Sequence, residues 1–255
     1  MSMITTAHPV AAFEPRPLSF IPATKSHWGF WSSLGWVALA LTVATVSLVP
    51  LSFAYYMWGH LIGIRLDGQS LQSLGYAAFS AVAVVLIALA AARRADWKVY
   101  LGLVWPRWSF IGLALVVVAV EATFNVGLFS VLPIHEDSTP GIADEYQAAI
   151  GNIVAMTLFW LSLTVIAPVS EEIAFRGFIL RGWMSTRLGV TGAIVLSSLL
   201  FAAIHGPNQL AVFISLFVGG MLLATVRWLS GSIVPTILMH ATWNLGCGIL
   251  MALGV

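Results

Sequence analysis

The sequence predicts an all-α protein, a polytopic bundle of about seven to eight membrane-spanning helices. Of its 255 residues, 60% are hydrophobic and only 8% are charged, whereas a soluble domain carries about a quarter charged residues. The mean hydropathy is +0.96, and apolar runs of about 20 residues, the length that crosses a bilayer, recur along the chain. No internal repeat divides the sequence, so we expect one transmembrane domain.

Seven apolar runs are long enough to be predicted spans, and polar connections separate them. The first 28 residues contain four prolines and no apolar run, a composition typical of a mobile tail. The sequence therefore predicts an N-terminal tail over 1–28 and a single transmembrane domain over 29–255. An eighth, re-entrant element is the alternative to a count of seven. The predicted spans are 29–59, 74–92, 108–133, 149–169, 190–205, 209–228 and 233–255.

The charges predict an orientation and exclude one class of partner. If the N-terminal tail lies on one side of the membrane, the seven predicted spans place ten basic residues on that same side. Only Arg65 then lies on the opposite side. This excess favours a cytoplasmic N-terminus in the cell membrane. A net charge of +1 argues against a nucleic-acid partner, since no patch is basic enough to neutralise phosphates. The ten residues are Arg16, Lys25, Arg93, Arg94, Lys98, Arg107, Arg176, Arg181, Arg187 and Arg227.

The stretch PVSEEIAFRGF places three charged side chains in an apolar setting. Ionisable groups inside a bilayer are costly, so each is a functional hypothesis. Glu172 and Arg176 are spaced i,i+4, which predicts an ion pair on one helix face. Adjacent residues differ by about 100° around a helix, so Glu171 faces elsewhere. We therefore expect Glu172 to pair with Arg176 and Glu171 to be available as an acid or base.

Three further polar side chains occur in the last two-fifths of the chain: His205, His240 and Asn244. Taken singly, each is more typical of a hydrogen bond between packed helices. Together with Glu171 they lie on three spans, which favours one shared site. A neutral histidine and an asparagine can both donate hydrogen bonds, as an oxyanion site requires. The group can serve a bound water with Glu171 as general base, or a metal ion held by imidazole and carboxylate. Glu121, alone in the third span, is left unassigned.

The predicted spans contain a conflict of depth. If the fourth span ends at Val169, Glu171 and His205 lie at opposite ends of their helices, about 25–30 Å apart. The two residues can meet only if the helix continues within the membrane past Arg176. The membrane edge would then lie nearer Arg181 or Arg187.

At these residues the chain resembles a known family. EEIAFR matches the pattern EExxxR, FAAIH matches FxxxH and HATWN matches HxxxN, in the family's order. These are the motifs of the CPBP intramembrane proteases: type II CAAX-prenyl endopeptidases, bacteriocin-processing enzymes and lysostaphin-resistance-protein-A-like proteins. The resemblance covers roughly 150–255.

The resemblance implies an intramembrane endopeptidase acting on a hydrophobic or lipidated peptide. It implies that Glu171 and His205 activate the attacking water, that His240 and Asn244 stabilise the oxyanion, and that Glu172 and Arg176 brace the site. It leaves open whether a divalent metal such as zinc takes part. The alternatives from other classes are a proton-coupled carrier and a non-catalytic immunity or scaffold protein.

Overall fold

The chain folds into nine helices over the residues described by a computed structural model, which are 28–59, 68–93, 96–132, 142–206 and 209–254. These residues contain no strand. The predicted mobile tail lies, except for Trp28, outside them. The helices are α1 (Phe30–Gly59), α2 (Gly68–Ala92), α3 (Trp97–Leu101), α4 (Trp108–Val131), α5 (Ile142–Ala149), α6 (Ile153–Met184), α7 (Gly189–Ile204), α8 (Leu210–Ser230) and α9 (Val234–Leu253).

Six of these helices, α1, α2, α4, α6, α8 and α9, are long and apolar enough to cross a membrane. The predicted fifth span corresponds to α7, which is apolar but has only 16 residues. At 1.5 Å per residue it is about 24 Å long, shorter than the roughly 30 Å of a hydrocarbon core. The prediction of an all-α, multi-pass membrane bundle is confirmed, and among the predicted spans α7 is the short one.

The fourth predicted span, 149–169, is wrong at its end, because α6 runs without a break through Pro168 to Met184. Proline lacks the backbone N–H that an α-helix needs and normally breaks it. Here a π-helical segment, Ser162–Ile166, directly precedes the proline, and the N–H of Ala167 bonds to the carbonyl of Ser162, five residues back. The wider π turn shifts the hydrogen-bond register around the proline, so the helix continues.

One end of the bundle gathers the α2–α4 connection, the C-terminal part of α6 and the turn between α8 and α9. The N–H of Ile233 donates to the carbonyl of Gly102 over 3.0 Å. Gly177 in α6 packs so closely on Leu101 that a Cβ at Gly177 would lie 3.1 Å from the Leu101 carbonyl. Small residues allow such close approach of helices in a membrane. Gly177 and Ile233 therefore lie at about the same depth.

Trp28, the last residue of the predicted tail, is packed into the bundle, which corrects its assignment to the tail. Its side chain is 6% exposed, and its ring lies 5.9 Å from that of Phe178. Nearby, the Nε1 of Trp183 donates to the carbonyl of Phe30 over 3.3 Å, and the two rings stack at 4.5 Å. The start of α1 is thus packed on the C-terminal part of α6, the helix that carries both glutamates.

Replacing Gly102 with alanine is expected to destabilise the protein more than the same change at Gly189. Both glycines have positive φ, 76° and 62°, which costs alanine about 1 kcal/mol. A Cβ at Gly102 also meets the guanidinium of the buried Arg227, whereas nothing lies within 4 Å of one at Gly189. We expect a loss of about 2–4 kcal/mol for Gly102→Ala against about 1 kcal/mol for the control, measured by thermal unfolding in detergent. Equal shifts in Tm would contradict this packing.

Candidate active site

The carboxylate of Glu171 lies between two imidazole rings. Its Oε2 is 3.6 Å from the Nε2 of His205 and 3.9 Å from the Nε2 of His240. These gaps are too long for hydrogen bonds, and Oε2 is buried without a hydrogen-bond partner in the described residues. A carboxylate and two imidazoles from three helices therefore converge with room for a small group between them.

Helix lengths explain why Glu171 and His205 meet. Glu171 precedes the end of α6 at Met184 by 13 residues, about 20 Å along the axis. His205 directly follows α7, which starts near that end of the bundle and is about 24 Å long. Both residues thus lie about 20–25 Å from the same end. The depth conflict is removed by the continuation of α6 and the shortness of α7.

His240 reaches the same depth from the other direction along the chain. It follows Ile233 by seven residues, and Glu171 precedes Gly177 by six. Each separation corresponds to about 9–10 Å of helix, and Ile233 and Gly177 both contact the α2–α4 connection. The imidazole of His240 therefore faces the same turn of α6 that carries Glu171.

The second glutamate, Glu172, belongs to a buried ion pair. Its Oε1 accepts from the Nη1 of Arg176 over 3.0 Å, and the two side chains are 0% and 2% exposed. The same Oε1 lies 3.1 Å from the Nδ1 of His240. Arg176 also donates to the carbonyl of Gly220 over 3.4 Å. The structure thus contains the predicted i,i+4 pair, and the pair holds an imidazole of the site as well.

The partners of the two histidines decide which ring nitrogen carries the proton. The Nδ1 of His205 lies 2.7 Å from the carbonyl of Phe201, which can only accept, so this nitrogen is the donor. In neutral His205 the lone pair of Nε2 therefore faces Glu171. The Nδ1 of His240 likewise donates to the carboxylate of Glu172. With Nδ1 as the donor, its Nε2 donates only when the ring is an imidazolium.

Asn244 lies in the same cavity but outside the carboxylate–imidazole cluster. Its Nδ2 donates to the carbonyl of Leu163 over 2.9 Å. Leu163 belongs to the π-helical segment Ser162–Ile166, where carbonyls leave the regular hydrogen-bond pattern. One N–H of Asn244 therefore joins α9 to α6, and its second N–H is the one that remains for a ligand.

Phe201 packs at the centre of the site. Its ring lies 4.5 Å from that of His205 and 5.9 Å from that of His240. The guanidinium of Arg176 sits 4.2 Å above its centroid, a cation–π contact. The phenylalanine of the FxxxH motif thus separates the two histidines and covers the buried cation.

The cluster opens on a cavity of about 1010 Å³, lined by Glu171, His205, His240 and Asn244. This volume is at the upper end for small-molecule sites and suits an extended peptide segment. Helices from the first half of the chain complete its wall.

Sequence reasoning missed two lining residues, Tyr76 on α2 and Glu145 on α5. The hydroxyl of Tyr76 interacts with the carboxylate of Glu171 and with Ser80. Glu145 accepts from the Nε2 of Gln72 over 3.2 Å, and burial raises its pKa above the ordinary value. A tyrosine in an apolar span has no distinguishing signal, and Glu145 lies in a polar connection, so neither stood out.

The described residues contain no group of three or more His, Cys, Asp or Glu side chains that is arranged to hold a metal ion. Glu171, His205 and His240 come closest to one another, and the second nitrogen of each histidine bonds to a carbonyl or carboxylate, an arrangement that also occurs around metal-binding histidines.

Residues 153–246 match the family model described as "Type II CAAX prenyl endopeptidase Rce1-like". This part of the chain is similar to the Rce1-like family. The matched segment contains Glu171, Glu172, Arg176, His205, His240 and Asn244, whereas Tyr76, Glu121 and Glu145 precede it. This similarity favours a membrane peptidase family for the region that carries the cluster.

Two curated proteins are similar to part of this chain. An "Uncharacterized 24.3 kDa protein" of Escherichia coli is 31% identical over 136 residues, which are 52% of this chain and 58% of that protein. The "UPF0177 protein YaiH" of Lactococcus lactis is 32% identical over 114 residues, 44% of this chain and 41% of that protein. The chain thus spans about half the length of these relatives. No solved structure matches.

Replacing Arg176 with methionine is expected to destabilise the bundle by about 3–5 kcal/mol, because it leaves the carboxylate of Glu172 buried without its cation. Changing the exposed Arg187 to methionine should cost within about 0.5 kcal/mol. The double variant Glu172→Gln/Arg176→Met should recover part of the loss. Thermal unfolding of the four proteins measures this, and a double variant less stable than Arg176→Met alone would argue against the pair.

Proposed function

We propose that the protein is an intramembrane endopeptidase that hydrolyses a peptide bond of a hydrophobic or lipidated peptide with a water activated by Glu171 and His205. One observation carries the proposal. The unpartnered Oε2 of Glu171 lies between the Nε2 atoms of His205 and His240 at the wall of a peptide-sized cavity. The Rce1-like family of this region supports the same reaction class.

In the first step a water beside Glu171 attacks the carbonyl carbon of the scissile bond. The carboxylate of Glu171 accepts the water's proton, and the lone pair on the Nε2 of His205 accepts its second hydrogen bond. The new C–O bond forms as the carbonyl electrons move to oxygen. His205 is suited to this role because its Nδ1 is bound to the carbonyl of Phe201.

In the second step the tetrahedral oxyanion collapses and the C–N bond breaks. The Nε2–H of an imidazolium at His240 and the free N–H of Asn244 stabilise the oxyanion. Glu172 stabilises that imidazolium through Nδ1. The leaving amine takes the proton from Glu171, which restores the carboxylate and releases a new carboxyl terminus and a new amine. Burial excludes bulk water and strengthens each of these interactions.

We further propose that the N-terminus is cytoplasmic and that the protein resides in the plasma membrane. Arg93 and Lys98 flank the α2–α4 connection, Arg187 lies between α6 and α7, and Arg227 lies in the last turn of α8. These positions belong to the end of the bundle where the α2–α4 connection, α6 and the α8–α9 turn meet. An excess of basic residues at one end favours the cytoplasmic side.

Replacing Glu171 with glutamine should lower cleavage by about 10²–10⁴-fold, because the amide cannot accept the water's proton. The assay uses purified protein with quenched-fluorescence hydrophobic peptides, one set carrying a prenylated cysteine. Asp144→Asn, an equal charge change at an exposed site on α5, is the control and should retain activity. Cleavage by Glu171→Gln at the control's rate would remove Glu171 from the mechanism. A different outcome would favour a carrier or scaffold: the wild type cleaves none of the peptides, yet Glu171→Gln and Asp144→Asn abolish a cellular phenotype equally.

Dialysis of the active protein against a chelator is expected to leave the cleavage rate within about twofold, because the proposed proton transfers use only side chains and water. Metal content is measured on the same samples before and after dialysis. A stoichiometric metal whose removal abolishes cleavage, and whose return restores it, would replace this mechanism with the zinc-dependent one.

A further inference from the structure

Glu121 is a buried carboxylate that the proposed reaction does not use. It lies on α4, before the Rce1-like region, and its side chain is 7% exposed although it lines the cavity. No described residue forms a hydrogen bond or ion pair with it. An ionisable group held this way in a membrane bundle is costly and marks a functional position.

The surrounding structure makes space for this carboxylate. Gly219 of α8 lies against the carboxylate of Glu121. A Cβ at Gly219 would collide with the Oε1 of Glu121, so the glycine leaves room for this group. One turn further along α4, Asn125 is 3% exposed, and neither its Nδ2 nor its Oδ1 has a hydrogen-bond partner among the described residues. Burying polar groups without partners costs free energy unless a ligand or water satisfies them. Two such residues on one face of α4 therefore indicate a polar subsite.

This subsite is close to the chemistry. Glu121 interacts electrostatically with His240 and Arg176 and with the thiol of Cys247. Cys247 lines the cavity with it and follows Asn244 by three residues on α9. In the proposed reaction, a group bound at Glu121 would thus lie on the His240 side of the cavity.

The cavity lining is more acidic than basic, even with the imidazolium of His240 that the proposed reaction uses. The described lining includes the carboxylates of Glu121, Glu145 and Glu171 but no lysine or arginine. Arg176, the nearest buried cation, is bound to Glu172 and to a backbone carbonyl and is 2% exposed. A field of this sign attracts cations and disfavours a bound carboxylate.

We propose that the cavity takes a peptide segment with a positively charged side chain next to the scissile bond, and that Glu121 is the residue that receives this charge. This inference rests on the proposed peptidase function for the identity of the ligand. We therefore expect a peptide bond near an internal lysine or arginine to be a better substrate than a bond near a free terminal carboxylate.

Cys247, the single cysteine of the sequence, allows a test that needs no peptide hydrolysis. The thiol is modified with an ethyl methanethiosulfonate reagent that is either cationic (trimethylammonium) or anionic (sulfonate). The rate of modification by each reagent is then divided by the rate at which the same reagent modifies free cysteine. The ratio of the two normalised rates removes any effect on the thiol itself. We expect the cation to be favoured about tenfold in the wild type.

The variants assign this preference to Glu121. Glu121→Gln should reduce the ratio several-fold, whereas Asp144→Asn, which removes the same charge outside the cavity lining, should leave it unchanged. Cys247→Ser should show no labelling. A wild-type ratio of one or below would overturn the proposal even if Glu121→Gln failed to fold. An unchanged ratio in a folded Glu121→Gln, or a Cys247 that reacts with the cation only after denaturation, would also overturn it.

Peptide kinetics then test the substrate class in the active protein. Matched peptides with lysine, norleucine or glutamate beside the cleaved bond should show the lowest KM for lysine, and Glu121→Gln should remove that difference while changing kcat little. Equal KM values for all three peptides would refute the specificity and leave the peptidase function intact. Absence of cleavage in every peptide, with the labelling preference present, would refute the peptidase function instead.

Discussion

The buried contact between Glu172, Arg176 and His240 is the interaction on which the rest of the site depends. A carboxylate and a guanidinium, 0% and 2% exposed, tolerate an apolar bundle only while each satisfies the other. That requirement fixes the rotation of α6 about its axis, since Glu172 must face α9. The neighbouring Glu171, about 100° away, is then turned towards the cavity. Helix geometry alone thus directs the two adjacent glutamates to different surroundings, Glu172 to the ion pair and Glu171 to the cavity.

The same contact decides which ring nitrogen of His240 is the donor. Because Glu172 accepts from the Nδ1 of His240, the second nitrogen of that ring becomes a donor only in the imidazolium form. His205 is arranged in the opposite way: its Nδ1 is held by the carbonyl of Phe201, and its Nε2 is left to accept. Two histidines with the same neighbour, Glu171, are therefore suited to different steps, and backbone and carboxylate partners outside the cavity decide which.

The sequence predicted the residues that meet but not the path that brings them together. The class of fold follows from hydropathy, and the Glu172–Arg176 pair follows from spacing i,i+4. The continuation of α6 through Pro168 depends on a π segment, and helix periodicity contains no signal for such a register shift. The role of Leu163 as partner of Asn244 depends on that same segment. Local pattern thus identified the residues that converge, while backbone irregularities set by tertiary packing supplied the geometry.

The division between the two halves of the chain has a physical consequence. The Rce1-like residues 153–246 supply the carboxylates and imidazoles of the cluster, but they do not enclose it. Tyr76 on α2, Glu121 on α4 and Glu145 on α5 complete the cavity wall. Groups that polarise water must keep their positions to within fractions of an ångström, whereas groups that choose a substrate need only complement its shape and charge. In the proposed peptidase, the helices outside the matched segment therefore contribute to the choice of peptide.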